Sequence, residues 1–515
     1  MRTGTGDDGG GGDSLTAAAE RGSSAAIEAP LGAGDPVEGL DIELPPLDPE
    51  EGLAAVAAAP LSLLSRVSGV GHDTGREIWR LAVPIMMSQA LVSAVGLIDI
   101  AMVGRLGAAD VAAVGYATQL YFMSQSALFA VGFACVALMA RAIGAGDPAR
   151  ARAALAASVA IALATAAVVA VVVLAAPRLV LQSLNAAPEL VELTIPYMRL
   201  LFASSLLLAV SLTLEHGLRA NRDTSTPMRI SLVVTGIKAV LNLGLIFGMF
   251  GLPRLEVAGA GVATLLSQVV AVIAFIVVVR LAPASSPMAL RRKDFVAARR
   301  LLRDVVRVAM PGVGERVVLN LALLGYFATL SGYGTVAIAA YTVGVRIMAF
   351  SWIPGTGFGA AAATLVGHSL GAGDAERAER TGWLAARIAL FTAMVLGFAG
   401  GAAREPLARM FTSDAATIAT LGPFMLVLAF AQPMMQVHFT LAGAFRGAGD
   451  TWTPLAGAAL GNWGFRVPLA GLAASRHMPL VWLWGALVFD HLARMLLLAF
   501  EFRRGGWKRR ALARG

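Results

Sequence analysis

The segment GAGDPARA at 144–151 returns as GAGDAERA at 371–378, an offset of 227 residues, and the same offset aligns much else in the chain. Pro84 falls on Pro311, Gly107 on Gly334, Ala112 and Ala113 on Ala339 and Ala340, and Arg150 on Arg377. Further on, RANRDTSTP at 219–227 falls on RGAGDTWTP at 446–454, pairing Arg219 with Arg446, Asp223 with Asp450 and Pro227 with Pro454. A shared Ala/Gly-rich composition would not hold Arg, Asp, Thr and Pro in one register. The chain is therefore two related halves, and whatever one half folds into the other must fold into as well.

What the halves are follows from their apolar runs. The 515 residues are 57% apolar and only 14% charged, and the mean hydropathy is +0.72. Those values exclude an ordinary soluble domain. Runs of about 20 apolar residues, each long enough to cross a hydrocarbon core of about 30 Å, lie near 81–103, 113–140, 153–176, 193–216, 228–252 and 257–280. The second half supplies 308–330, 338–366, 383–403, 417–443, 453–474 and 480–502. Six crossings return the chain to its starting face, so the two halves share one direction. The fold class expected is an all-α membrane protein: twelve transmembrane helices in two parallel-repeat six-helix lobes.

Arg and Lys concentrate in the even-numbered connections, at 141–152, 219–229 and 291–307, and in the tail after 502. Cytoplasmic loops carry that excess, which places both termini in the cytoplasm and the chain in the cell's inner membrane. The organisation expected is a disordered cytoplasmic tail over 1–75, an N-terminal lobe over 76–281, a linker over 282–306, a C-terminal lobe over 307–505 and a basic tail over 506–515. The first 75 residues are rich in Gly, Ala, Pro, Asp and Glu with no apolar periodicity, and they lack the basic-then-apolar start of a signal peptide. The linker reads as a basic amphipathic helix lying at the inner headgroup surface. The net charge of +8 is dispersed among loops and tail, which argues for orientation and anionic lipid rather than nucleic acid. Cys135 is the only cysteine, so disulfides and thiolate metal clusters within the chain are excluded. The two GAGD segments suit turn chemistry: Gly144 and Gly371 as left-handed helix ends, Asp147 and Asp374 as N-caps.

Ionisable groups inside spans cost several kcal/mol by insertion scales, about 2.5–3.5 for Asp, Lys or Arg at mid-span. Asp99, in LIDIAMVG, lies in the outer half of the first span, where burial favours proton uptake and release; a hydrogen-bonded interfacial Asp is the plainer alternative. Asn242 and Thr264 offer neutral oxygens that can join it around a proton or hard cation, or make ordinary interhelical hydrogen bonds. In the second half Glu315, one turn after Pro311, with Asn320 beyond it and Gln436 in the tenth span, forms a possible substrate or proton site. Asp490 with Arg494 at i+4 reads as an intrahelical pair. No set of His, Cys or carboxylate residues has metal-ligand or hydrolase spacing, so no cofactor and no enzymatic activity are expected.

The first span and its exit, with Pro84 ahead of DIAMVGRLG, the RLEVAGAGVATLLSQ stretch and GAFRGAGDTWTP resemble the multidrug and toxic compound extrusion transporters over about 76–505. The resemblance implies a monomeric twelve-helix antiporter that exports organic cations and other amphipathic compounds in exchange for protons or sodium. It also implies that Asp99, Asn242 and Thr264 match a cation site in the first lobe. The chain departs from the family at Ile246, Leu319 and Met435, where subgroups carry acids. A flippase for a lipid-linked sugar is the alternative, disfavoured because the mapped arginines fall in loops rather than mid-span.

Overall fold

The protein, seen here as a computed structural model, is described at residues 72–184 and 187–512. The tail expected over 1–75 lies outside the described residues as far as 71, and from His72 the chain is already helical. Among the described residues every regular element is a helix. The first half comprises α1 (His72–Val103), α2 (Ala108–Gly144), α3 (Pro148–Ala175), the short α4 (Pro177–Ser183), α5 (Pro188–Ala220), α6 (Ser225–Phe247) and α7 (Glu256–Leu281). After the short α8 (Arg292–Ala298), the second half repeats the order. It runs through α9 (Leu302–Ser331), α10 (Thr335–Ser351), α11 (Ile353–Gly371), α12 (Ala375–Ala402), α13 (Arg404–Phe411) and α14 (Ala415–Gly447). Then come α15 (Trp452–Ala459), a π-helical turn (Leu460–Arg466), α16 (Val467–Ser475), α17 (Leu480–Arg504) and the short α18 (Gly506–Leu512). Even the short α4 and α13 begin one repeat offset apart.

Ten of these helices are long and apolar enough to cross a membrane. The other two crossings are the interrupted ones. The eighth span breaks at Trp352, where Pro354 at the start of α11 cannot extend the helix before it. Gln436 repairs the break, donating to the carbonyl of Ser351 at 2.6 Å. The eleventh span contains the π turn, a one-turn widening of the kind that gathers at functional positions. The fifth span ends at Phe247, short of the expected 252, because Gly248 turns left-handed and stops it.

The first helix of each half starts in the core of the other. Ile78, Leu81 and Ala82 of α1 pack with Phe358, Leu365, Phe445 and Phe502. In return Val305, Val308 and Ala309 of α9 pack with Leu128, Ala134, Ala157 and Ala209. This exchange binds the halves along the end where the GAGD loops lie, and there they approach to backbone contact. A Cβ on Gly144 would fall 2.1 Å from the carbonyl oxygen of His368, and one on Gly371 would fall 2.1 Å from that of Arg141. The left-handed residues are the second glycines, Gly146 (φ 73) and Gly373 (φ 79), which corrects the sequence expectation. The caps are as expected: Asp147 and Asp374 accept from the amides of Arg150 and Arg377, each at 2.8 Å.

The linker differs from the surface-lying helix expected for it. Its helix is only α8, with α9 already under way at 302, and Met288, Ala289 and Asp294 are buried. Arg152 of α3 explains the docking, reaching Asp294 at 3.5 Å and the carbonyl of Ser286 at 3.3 Å. The tail past Arg504 docks too. Trp507 is fully buried, stacked on Phe502 at 4.7 Å, and Arg510 pairs with Asp450 at 2.7 Å.

Candidate functional site

Asp99 sits one turn from the end of α1, on the half of the helix away from the GAGD end. Its Oδ2 receives Lys238 Nζ of α6 at 2.5 Å, and its Oδ1 receives the side-chain amide of Asn242, one turn further along α6. Lys238 and Asn242 are four residues apart and so share one helix face. The side chains of Lys238 and Asp99 are 20% and 24% exposed, within reach of water, while Asn242 is fully buried. Tyr197 of α5, bonded to Thr118, lies close enough to feel the charge of Asp99. Thr264, the third expected member, donates its hydroxyl to Ala260 of its own helix at 2.9 Å. Asp99 and Asn242 are thus brought together, and Thr264 is not joined to them by a described bond.

Lys238 was missed by sequence reasoning. The signal was present: a lysine in the middle of an apolar run, one turn from an asparagine already singled out, where an ammonium is costly without a partner.

In the second lobe no described bond joins the expected trio of Glu315, Asn320 and Gln436. Glu315 accepts from Arg446 at 2.8 Å through both oxygens, and the Arg446 guanidinium lies 4.7 Å above the ring of Phe133 in the first lobe. Gln436 is fully buried, its amide nitrogen engaged at the helix break and its Oε1 without a partner, while Asn320 is half-buried on α9. The deeper feature is a charged network. Asp490, fully buried, holds Arg494 at 2.5 and 3.0 Å, and Arg466 of the π turn stands 3.8 Å from the same carboxylate. Arg466 also lies 4.5 Å above the ring of Tyr326 and donates to the hydroxyl of Tyr341 at 3.3 Å. His438 and His491 stack beside it, ring nitrogens 3.0 Å apart. The intrahelical Asp490–Arg494 pair is as expected. The expectation that the mapped arginines fall in loops rather than mid-span does not extend to Arg466, which is buried within the eleventh span beside the expected Arg494.

A duplicated helical bundle with polar and charged groups between its helices is the architecture of a membrane transporter. The MatE family profile matches residues 84–243 and again 313–472, and the chain belongs to that family. It is 26% identical over 454 residues to a probable multidrug resistance protein NorM of Thermotoga maritima, spanning 85% of this chain and 94% of that protein. It is 30% identical over 409 residues to the probable multidrug resistance protein NorM of Bradyrhizobium diazoefficiens, spanning 77% and 86%. The fold superposes on a crystal structure of a Vibrio cholerae MATE transporter with TM-score 0.79 at 19% identity, over 85% of this chain and 99% of that one.

Proposed function

We propose that this transporter exports amphipathic small organic molecules, organic cations among them, in exchange for protons or sodium ions entering through the Asp99 site. The observation that carries this reading is a water-reachable carboxylate inside the first span, on the side of the molecule opposite the end at which the lobes are closed. Relatives bearing the name multidrug resistance protein support the cargo class. The two lobes rock against each other and open the transport path to one face at a time. Ion binding at Asp99 alters the charge of the first lobe and favours one of the two packings, as coupling requires. The distribution of Arg and Lys supports an inner-membrane setting with cytoplasmic termini, and a monomer contains the whole path.

The interior arginines lend a specific observation to the flippase alternative, because anionic lipid carriers need buried cations. Those of the second lobe are engaged by Glu315, Tyr341 and Asp490, which favours the antiporter. Purified protein in sealed vesicles, given an imposed gradient, is expected to expel a fluorescent organic cation and to lose this activity in Asp99→Asn. Translocation of a lipid-linked sugar instead of the dye would favour the alternative. For alternating access, Ala145→Cys with Ala372→Cys in a Cys135→Ala background is expected to stop export on oxidation and to regain it on reduction.

A further inference from the structure

We propose that Lys238 is the resident cation of the first-lobe site: its ammonium fills the place at Asp99 that a sodium ion would need, so the site exchanges protons and rejects sodium. This rests on the antiporter reading above and narrows it. Both oxygens of Asp99 are already taken, one by Lys238 at 2.5 Å and the other by Asn242. Asn242 Oδ1 is buried without a hydrogen-bond partner, and the Thr264 hydroxyl, donating to Ala260, keeps its lone pairs, so it is the ammonium rather than a want of oxygens that keeps a second cation out. A second unit charge about 4 Å from the ammonium would lose affinity on the order of a thousandfold at an effective dielectric of 20.

The second lobe supplies an independent observation. By the repeat offset Asp99 corresponds to Tyr326, and Lys238 corresponds to Phe465. The π turn at Leu460–Arg466 accommodates one extra residue, which puts Arg466 in the place of Lys238 and lays it over Tyr326 at 4.5 Å. Both lobes therefore set a fixed cation on the equivalent helix against the equivalent residue of their first helix. Only in the first lobe is that residue an acid.

The exchange is balanced in protons alone. A proton arriving from one face converts the Asp99 carboxylate to a carboxyl, Lys238 keeps its charge, and the site passes from neutral to +1. Release of the same proton to the other face restores the ion pair. The described groups that meet this event are Asp99 of α1, Lys238 and Asn242 of α6, and Tyr197 of α5, which in turn meets Thr118 and Tyr121 of α2.

The test is equilibrium binding of radioactive sodium to purified full-length protein in nanodiscs. Wild type and Lys238→Arg are expected to bind no sodium beyond the level of Asp99→Asn. Lys238→Met is expected to acquire about one Asp99-dependent sodium ion, lost again in Lys238→Met/Asp99→Asn. Asp99-dependent sodium binding by wild type overturns the proposal. So does a properly folded Lys238→Met, monodisperse on size exclusion, that binds no more sodium than wild type, because the ammonium is then not what excludes it. Failure of gradient-driven dye export alongside the expected binding pattern would remove the antiporter reading and leave the resident cation standing.

Discussion

The two lobes are copies, yet they treat the same structural position in opposite ways. In the first, Lys238 meets Asp99 with both side chains partly reached by water. In the second, Arg466 meets the face of Tyr326 and shares with Arg494 a carboxylate that is wholly buried. A proton can cancel a carboxylate's charge but not the quadrupole of an aromatic ring. One lobe therefore sets its cation against an acid within reach of water, and the other sets its cation against an aromatic ring beside an acid that is wholly buried. Duplication supplied the position, and the choice of acid or aromatic ring sets the two copies apart.

The largest effect that can break this comparison is on stability. Asp490→Asn strips the shared acid from two buried arginines and is expected to cost about 3–5 kcal/mol, seen as a lowered unfolding temperature in detergent. Asp99→Asn, at a half-wet pair, should shift stability by about 1 kcal/mol or less while reducing gradient-driven export by about tenfold or more, the effect of losing roughly 1.4 kcal/mol of differential ion binding. If the two variants exchanged these phenotypes, the division of labour would be the reverse of the one described.

Next in size is the closed end. Gly144→Ala and Gly371→Ala both force a methyl group against a carbonyl of the other lobe, at about 1–3 kcal/mol each. Each is expected to raise the maleimide reactivity of a reporter at Ala372→Cys; a rise in only one variant would show that the repeat is not symmetric there. Glu315→Gln, which weakens the Arg446 bridge beneath Phe133, should cost about 1.5–3 kcal/mol if the hydrogen bonds to charge are lost, with export retained. Abolished export in that variant would place an ion-responsive acid in the second lobe too.

The smallest expected effect compares helix starts. Asp414 caps α14, accepting from the hydroxyl and amide of Thr417, and those bonds hold its carboxyl below the usual carboxylate range. Its repeat mate Ala187 begins α5 with no side-chain cap. A depressed folded value means the stabilisation is complete above the unfolded carboxylate range and is lost as pH falls through the folded one. Asp414→Ala should remove a small acid-sensitive part of the thermal stability, while Ala187→Asp should add a comparable one.

The resemblance of the motifs carried the family and the pairing of Asp99 with Asn242, but several parts of the site were not legible. Asp490 and Arg494 were readable as partners because four residues on a helix fix their proximity. Arg446 and Glu315 lie 131 residues apart, and Lys238 and Asp99 139. No local rule pairs such residues, since the rotation of each helix about its own axis is set by packing. Gln436, read as a site candidate, proved to mend a broken helix whose defect was itself only suggested by Pro354.

By itself the sequence determined the duplication, the twelve crossings and the caps of the GAGD turns, because each depends on composition, periodicity or contacts within a few residues. The tertiary structure alone decided that the first helix of each half roots in the other, that the first glycines of the turns serve contact between lobes, and that Lys238 answers Asp99. These depend on which faces of distant helices meet, a choice made by the whole of the packed interior.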